Sequence, residues 1–244
     1  MNFYGDLLYP MASDSTFNNY LVQSGELPRS EKRDAARKLL WDVLHNRSLR
    51  HLPLSPAKFI HFGTNRELLE LMTEGVEAYA DLGWHAAVHS EAYGEFTAIN
   101  SIVRHSDAGR CYIENSRVIH CRIGDGCIIS NCDLEGVTVP DNTVLSGYFQ
   151  ADGTVCVRCC GLDDNPKENT HFKRKLDRAL WNAPIFTSRS EMKQAVKDAL
   201  DIVKGKIPAD AHLGFDTSFE NCDLNAMTAW SASIAAEVQN QKLV

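Results

Sequence analysis

The feature that most constrains the fold is a short repeat between residues 113 and 145. Aliphatic side chains fall at Ile113, Val118, Ile123, Ile129, Leu134, Val139 and Leu145, in steps of 5, 5, 6, 5, 5 and 6. The pattern returns every 16 residues, at Ile113, Ile129 and Leu145. A helix repeats every 3.6 residues and a flat strand every 2.0, so neither element produces this spacing. Steps of five and six arise when each short strand contributes one interior side chain and the chain then turns a corner. Three such strands make one coil of a parallel β-helix. A small or short side chain follows each aliphatic by three or four places: Ser116, Cys121, Cys127, Cys132, Val137 and Thr143. Gly126 and Asn142 occupy equivalent turns, where left-handed backbone costs least.

The near-hexapeptide spacing resembles the left-handed kind of β-helix. Two to three coils bury too little apolar surface to offset the ordering of the chain. Caps from the flanking segments are therefore expected. Upstream, a weak helix is expected around Phe17, Tyr20 and Leu21. Ser30 reads as the N-cap of a second helix on which Ala36, Leu39, Leu40, Val43 and Leu44 recur at helical spacing. Pro53-Leu54-Ser55-Pro56 ends it. Residues 58–62 read as a short strand, followed by a capping box at Thr64 and Glu67 and a helix that buries Leu68, Leu71 and Met72. Ala86-Ala87-Val88-His89 reads as a strand; the rest of 81–110 shows no clear period. Downstream, Val155 to Cys159 reads as a strand and Gly161 to Lys167 as a loop. Ser188 and Glu191 form a second capping box, ahead of a stripe at Met192, Ala195, Val196, Ala199 and Val203. A last helix over 222–239 carries Leu224, Met227, Trp230, Ile234 and Val238.

Net charge is −7 and the densest basic cluster is Lys173-Arg174-Lys175, which argues against a nucleic-acid partner. The first residues lack the basic start of a signal peptide. No apolar run is long enough to span a membrane. Reduced thiols and a cytoplasmic location are expected for the eight cysteines. Cys156-Val157-Arg158-Cys159 is a single CxxC with no second pair, weak evidence for zinc, and no metal site is assigned from it. Cys121, Cys127 and Cys132 are expected to fill interior corners as small buried hydrophobes. His105, 16 residues before Cys121, is expected at an interior corner of an earlier, imperfect coil, with His120 one place before a corner. Some β-helix acyltransferases use a histidine beside the coils, but no long loop interrupts 113–145 to build an acyl-donor cleft.

The stretch Phe59-Ile60-His61-Phe62-Gly63-Thr64 allows two readings. One is a strand, a turn and a capped helix. The other is a phosphate site at a helix start, where free N–H groups and a partial positive charge meet.

The same stretch resembles the strand-turn that closes the catalytic α/β domain of sugar-1-phosphate nucleotidyltransferases, which β-helix coils follow. Histidine stands where many of those enzymes have a metal-binding aspartate. The version with histidine resembles the L-fucose-1-phosphate guanylyltransferase (GDP-fucose pyrophosphorylase) family. Further segments agree in order: Phe3-Tyr4-Gly5-Asp6-Leu7, Ile113-Glu114-Asn115-Ser116, Ile123-Gly124-x-Gly126-Cys127, Gly161-Leu162-x-Asp164-Asn165-Pro166-Lys167 and Leu180-Trp181-Asn182-Ala183.

The resemblance implies a mixed α/β and β fold. Residues 1–95 would be the C-terminal edge of a nucleotidyltransferase-like α/β domain, 96–160 a left-handed β-helix and 161–244 a mainly helical end. It implies Mg²⁺ as cofactor, with a sugar phosphate and a guanine nucleotide as ligands, in making GDP-L-fucose from GTP and L-fucose 1-phosphate. By motif match, Lys58, His61 and Thr64 are expected near the sugar phosphate. Asp164, Asn165 and Lys167 follow as substrate-binding candidates, although a plain Asp/Asn turn explains them equally. The sequence has no Gly-Gly pair and no glycine-rich loop near its start. The expectation is therefore the C-terminal portion of such an enzyme, inactive alone, with a partner chain supplying the nucleotide-binding half. The alternative is a non-catalytic β-helix module for interaction or homo-oligomerisation.

Overall fold

The computed structural model of the chain describes every residue except 1, 24–28, 51, 58, 62 and 242–244. It divides into two compact units, Met1–Phe59 and Ile60–Val244. The expected three-way division groups 60–95 with the N-terminal region, whereas the compact units group them with the coils.

The first unit is helical among its described residues. A π-helical turn at Phe3–Leu8 leads through a 3-10 turn at Tyr9–Met11 to α1 (Phe17–Val22) and α2 (Glu31–Leu44). Its centre is polar and aromatic. Tyr20 is fully buried and stacks on Tyr9 at 6.0 Å. The buried Arg37 forms a 2.8 Å ion pair with Asp6 and donates to the carbonyl of Tyr20 at 2.5 Å. The Tyr20 hydroxyl donates to the Asp6 carbonyl at 2.7 Å. Burial pushes the Asp6 carboxyl up, but the Asn2 N–H and the Arg37 guanidinium together hold it below its ordinary value.

The expected helix behind Ser30 forms, but its apolar spacing does not give a buried face: Leu39 is 70% and Val43 62% exposed, and Leu40 and Leu44 are half-buried. One expectation fails here. No strand forms at Phe59, Ile60 and His61; Lys58 and Phe62 lie outside the described residues. Two prolines and a run of exposed apolar side chains precede this segment, and among the described residues no neighbouring strand pairs with it.

The second unit is built on a β-solenoid of about three turns. One sheet stacks Ala87–Val88, Thr97–Ile99, Tyr112–Glu114, Ile128–Ser130 and Thr143–Phe149 in parallel, then adds Val155–Gly161 antiparallel. The second stacks Ile102–Arg104, Arg117–Ile119 and Asp133–Glu135. The third stacks Asp107–Ala108, Arg122–Ile123 and Thr138–Val139. The aliphatics of the repeat are register partners: Ile113 with Ile129 and Leu145, Val118 with Leu134, Ile123 with Val139. All seven are nearly or fully buried.

The small residues at the corners also carry the hydrogen bonding. Where the chain bends, the ladder lacks carbonyl partners, and buried hydroxyls replace them. Ser101 Oγ accepts from Ser116 N, Ser116 Oγ from Cys132 N and Ser106 Oγ from Cys121 N, at 3.0–3.2 Å. Corner backbone is left-handed at Asn100, Asn115 and Asn131, at His105 and His120, and at Gly126 (φ 73°) and Asn142 (φ 55°). His105 is therefore corrected: it lies at an exposed corner, stacked on His120 at 5.0 Å, and Ser106 is the residue in line with Cys121. The turn before 113 escaped the period because Ala98 and Ala108 replace larger aliphatics in the register.

Helices surround the coils. α3 (Asn65–Glu70) continues into a π-helical turn at Leu71–Gly75 and a 3-10 segment at Val76–Leu82. Leu69, Met72 and Val76 join the solenoid's apolar core. α4 (Met192–Val203) packs on Val155–Gly161 and buries Ala195, Val196, Ala199, Leu200 and Ile202. The second capping box does not form: Glu191 is the N-cap without a side-chain bond, and Ser188 Oγ lies 3.4 Å from His212 Nε2 instead. After α5 (Phe215–Glu220), α6 (Leu224–Gln241) lies across the asparagine corner. Trp230 Nε1 donates to the Asn115 carbonyl at 2.7 Å, and Ile234 and Val238 bury Ile102.

Candidate functional site

A cleft of about 740 Å³ opens between the start of α3 and the loop that leaves the solenoid. One wall is Gly63, Thr64, Asn65, Arg66 and Leu68; the other is Leu162 to Glu168. Each wall is locally determined. Thr64 Oγ1 accepts from Glu67 N at 3.2 Å, while Glu67 Oε2 accepts from Gly63 N at 2.7 Å and Thr64 N at 2.9 Å. The predicted capping box therefore forms. Gly63 suits it because a Cβ there would sit 2.9 Å from Glu67 Oε2. The Gly63 N–H and then the Thr64 N–H hold the Glu67 carboxyl below the usual carboxylate range. The Gly63, Thr64 and Glu67 N–H groups are thus engaged within the capping box.

The opposite wall is a tight turn. Asp164 Oδ2 accepts from Gly161 N at 2.7 Å and Phe172 N at 3.0 Å. Asn165 Oδ1 accepts from Lys167 N at 3.1 Å, and its amide donates to Glu168 at 3.2 Å. Asp164 is thus an anchor of the loop. The Lys167 side chain is exposed, with no ion pair or hydrogen bond to another described residue. Leu162 N bonds the Asn142 carbonyl at 2.8 Å, tying this wall to a solenoid corner. Behind it the buried His171 bonds the Cys159 carbonyl at 2.9 Å, and burial lowers its pKa.

Two contacts join the walls. Asn65 Nδ2 approaches Cys160 Sγ at 3.8 Å. Arg66 grips Asp163 with a fork, Nε to Oδ1 and Nη2 to Oδ2, both at 2.8 Å. The guanidinium holds the Asp163 carboxyl below its ordinary value. Of the six residues expected in the site, Thr64, Asp164, Asn165 and Lys167 line this cleft. His61 stands beside it, exposed, with Nδ1 3.9 Å from Glu67 Oε2. Lys58 lies outside the described residues. Sequence reasoning passed over Arg66 and Asp163 because partners 97 residues apart leave no local pattern.

A family model described as the fucose pyrophosphorylase domain matches residues 1–185. The chain belongs to the fucose pyrophosphorylase domain family. Comparison with curated proteins and with solved structures found no match. The family match takes in both walls of the cleft and the whole solenoid. It stops before α4, α5 and α6, so the helices that cover the asparagine corner and the hairpin lie outside it.

Mg²⁺ finds no ready site in these side chains. Among the described residues no group of three or more His, Cys, Asp or Glu could hold a metal ion. Asp163 and Asp164 are bound to Arg66 and to backbone N–H groups. The cysteines do not form one either. Cys156 and Cys159 are an odd number of residues apart on one strand and face opposite ways. Burial pushes Cys111, Cys132, Cys156 and Cys160 up to about 12, which makes them inert fillers.

Proposed function

We propose that the cleft binds the sugar phosphate in a guanylyltransferase reaction, GTP plus L-fucose 1-phosphate giving GDP-L-fucose and pyrophosphate. In that reaction a phosphate oxygen of the sugar phosphate bonds to the α-phosphorus of GTP. The bond from that phosphorus to the bridging oxygen breaks, and pyrophosphate leaves with the electron pair. The transferring group is stabilised by position and charge. The observation that carries the reading is convergence: two segments singled out by family resemblance, nearly 100 residues apart in sequence, line a single cleft. Its size suits a hexose phosphate. Lys167 supplies a cation for the phosphate, and Asn65, Asn165 and Glu168 supply groups for sugar hydroxyls. His61 stands at the edge nearest α3 in this reading.

The nucleotide needs a phosphate cradle that these 244 residues do not contain as a glycine-rich loop. In this reading the cradle, and the Mg²⁺ that accompanies a triphosphate, come from another domain or chain. The isolated chain then binds sugar phosphate without turning over GTP. Calorimetric titration of the chain with L-fucose 1-phosphate tests this. Saturable binding that Lys167→Ala weakens roughly tenfold supports the reading; no binding by the folded chain contradicts it.

A further inference from the structure

Arg66 is the strongest anion-recognition group in the cleft, and in this structure it is occupied by a carboxylate of the opposite wall. A guanidinium presents the same planar fork to a carboxylate and to a phosphate. Asp163 uses that fork fully, with both oxygens at 2.8 Å from Nε and Nη2. Yet the pair is exposed, 43% for Arg66 and 68% for Asp163. Exposed pairs are held weakly and exchange readily. Asp163 makes no other side-chain contact among the described residues, so it can swing away from Arg66 without leaving a buried group unpaired. Asp164, by contrast, is fixed by two backbone N–H groups.

We propose that Asp163 is an internal stand-in for the substrate phosphate on Arg66, and that a phosphate monoester entering the cleft displaces it. Arg66 then contacts the phosphate from the α3 wall while Lys167 contacts it from the loop wall. Release of Asp163 breaks the ion pair between the walls, so the loop carrying Lys167 is freed to adjust as the ligand enters. The exchange makes the site selective. A neutral sugar cannot compete for the fork, and only a ligand with a dianionic group opens the bridge. This rests on the reading of the cleft as a sugar-phosphate site, and it adds a specificity residue and its competitor.

The test is a double-mutant cycle on the full chain. Asp163→Asn removes the competitor and should tighten L-fucose 1-phosphate about two- to fivefold, with no change for free L-fucose. Arg66→Ala should weaken L-fucose 1-phosphate roughly tenfold, and Arg66→Lys should recover only part of that. In the Arg66→Ala background, Asp163→Asn should have no effect. Equal or weaker binding of L-fucose 1-phosphate by Asp163→Asn overturns the exchange. A second readout separates this from the parent reading: the Arg66 Nε–H resonance titrated with inorganic phosphate. No shift of that resonance with phosphate, in a folded chain that also fails to bind L-fucose 1-phosphate, overturns both. A shift with phosphate while L-fucose 1-phosphate fails to bind supports the exchange and overturns only the sugar assignment. No shift with phosphate, in a chain that binds L-fucose 1-phosphate, overturns only the exchange.

Discussion

The two units solve the problem of a core in opposite ways. The solenoid has a periodic apolar interior in which every rung repeats the one below, with buried hydroxyls filling the gaps in the ladder at the corners. The Met1–Phe59 unit is aperiodic. Its described centre is one tyrosine, one arginine and one aspartate joined by directed bonds, while Leu39 and Val43 of the apolar spacing on α2 are exposed. The lesson is that hydrophobic periodicity reports a face that wants burial, whereas a repeat in register also supplies the surface that buries it.

The sharpest way to break this contrast is to truncate one side chain of each kind. Leu134→Ala, at a fully buried rung, should cost about 2–5 kcal/mol in urea denaturation. Leu39→Ala on α2 should fall within about 0.5 kcal/mol of wild type. A comparable loss at Leu39 would mean that the α2 stripe is buried in solution. Second in size is Asp6→Ala, which removes the acceptor of two guanidinium bonds. About 2 kcal/mol is expected, confined to the first unit and visible as an earlier loss of its aromatic near-UV signal.

Trp230→Phe keeps an aromatic ring, smaller than the indole, and deletes the Nε1 bond to the Asn115 carbonyl. About 1 kcal/mol should be lost, and amide exchange should rise at the asparagine corner.

The smallest effect is a pH slope. Burial lowers the His171 pKa, partly opposed by its bond to the Cys159 carbonyl. Above the unfolded pKa, near about 6.5, both states hold the ring neutral and it contributes nothing. Below that value the unfolded chain takes up a proton that the native chain refuses, so stability falls until the depressed folded pKa is reached. His171→Gln should flatten the urea midpoint against pH below neutrality. An unchanged slope would show that the ring is not held neutral.

Much of the fold was legible because its determinants are local or periodic. The seven aliphatics, the Thr64–Glu67 box, α1 and the last helix follow from spacing and capping. The coil over 97–108 was hidden because Ala98 and Ala108 stand where the period expects a larger side chain, so the rung is visible only once the strands are stacked. The second capping box failed because Ser188 lies three residues before Glu191 but outside the helix, where His212 is its neighbour. The site divides in the same way. Thr64 and the Asp164–Lys167 turn show in sequence as turn chemistry and family motifs. Their meeting in one cleft does not, because it depends on the solenoid carrying the chain from one wall to the other. Arg66 and Asp163 are legible only in three dimensions.

The most direct test of the central claim is an amide chemical-shift map of the full chain titrated with L-fucose 1-phosphate. The account predicts perturbations concentrated at residues 63–68 and 162–168, saturating together and fading with Lys167→Ala. Perturbations centred elsewhere, or none at all with the protein folded, would contradict it.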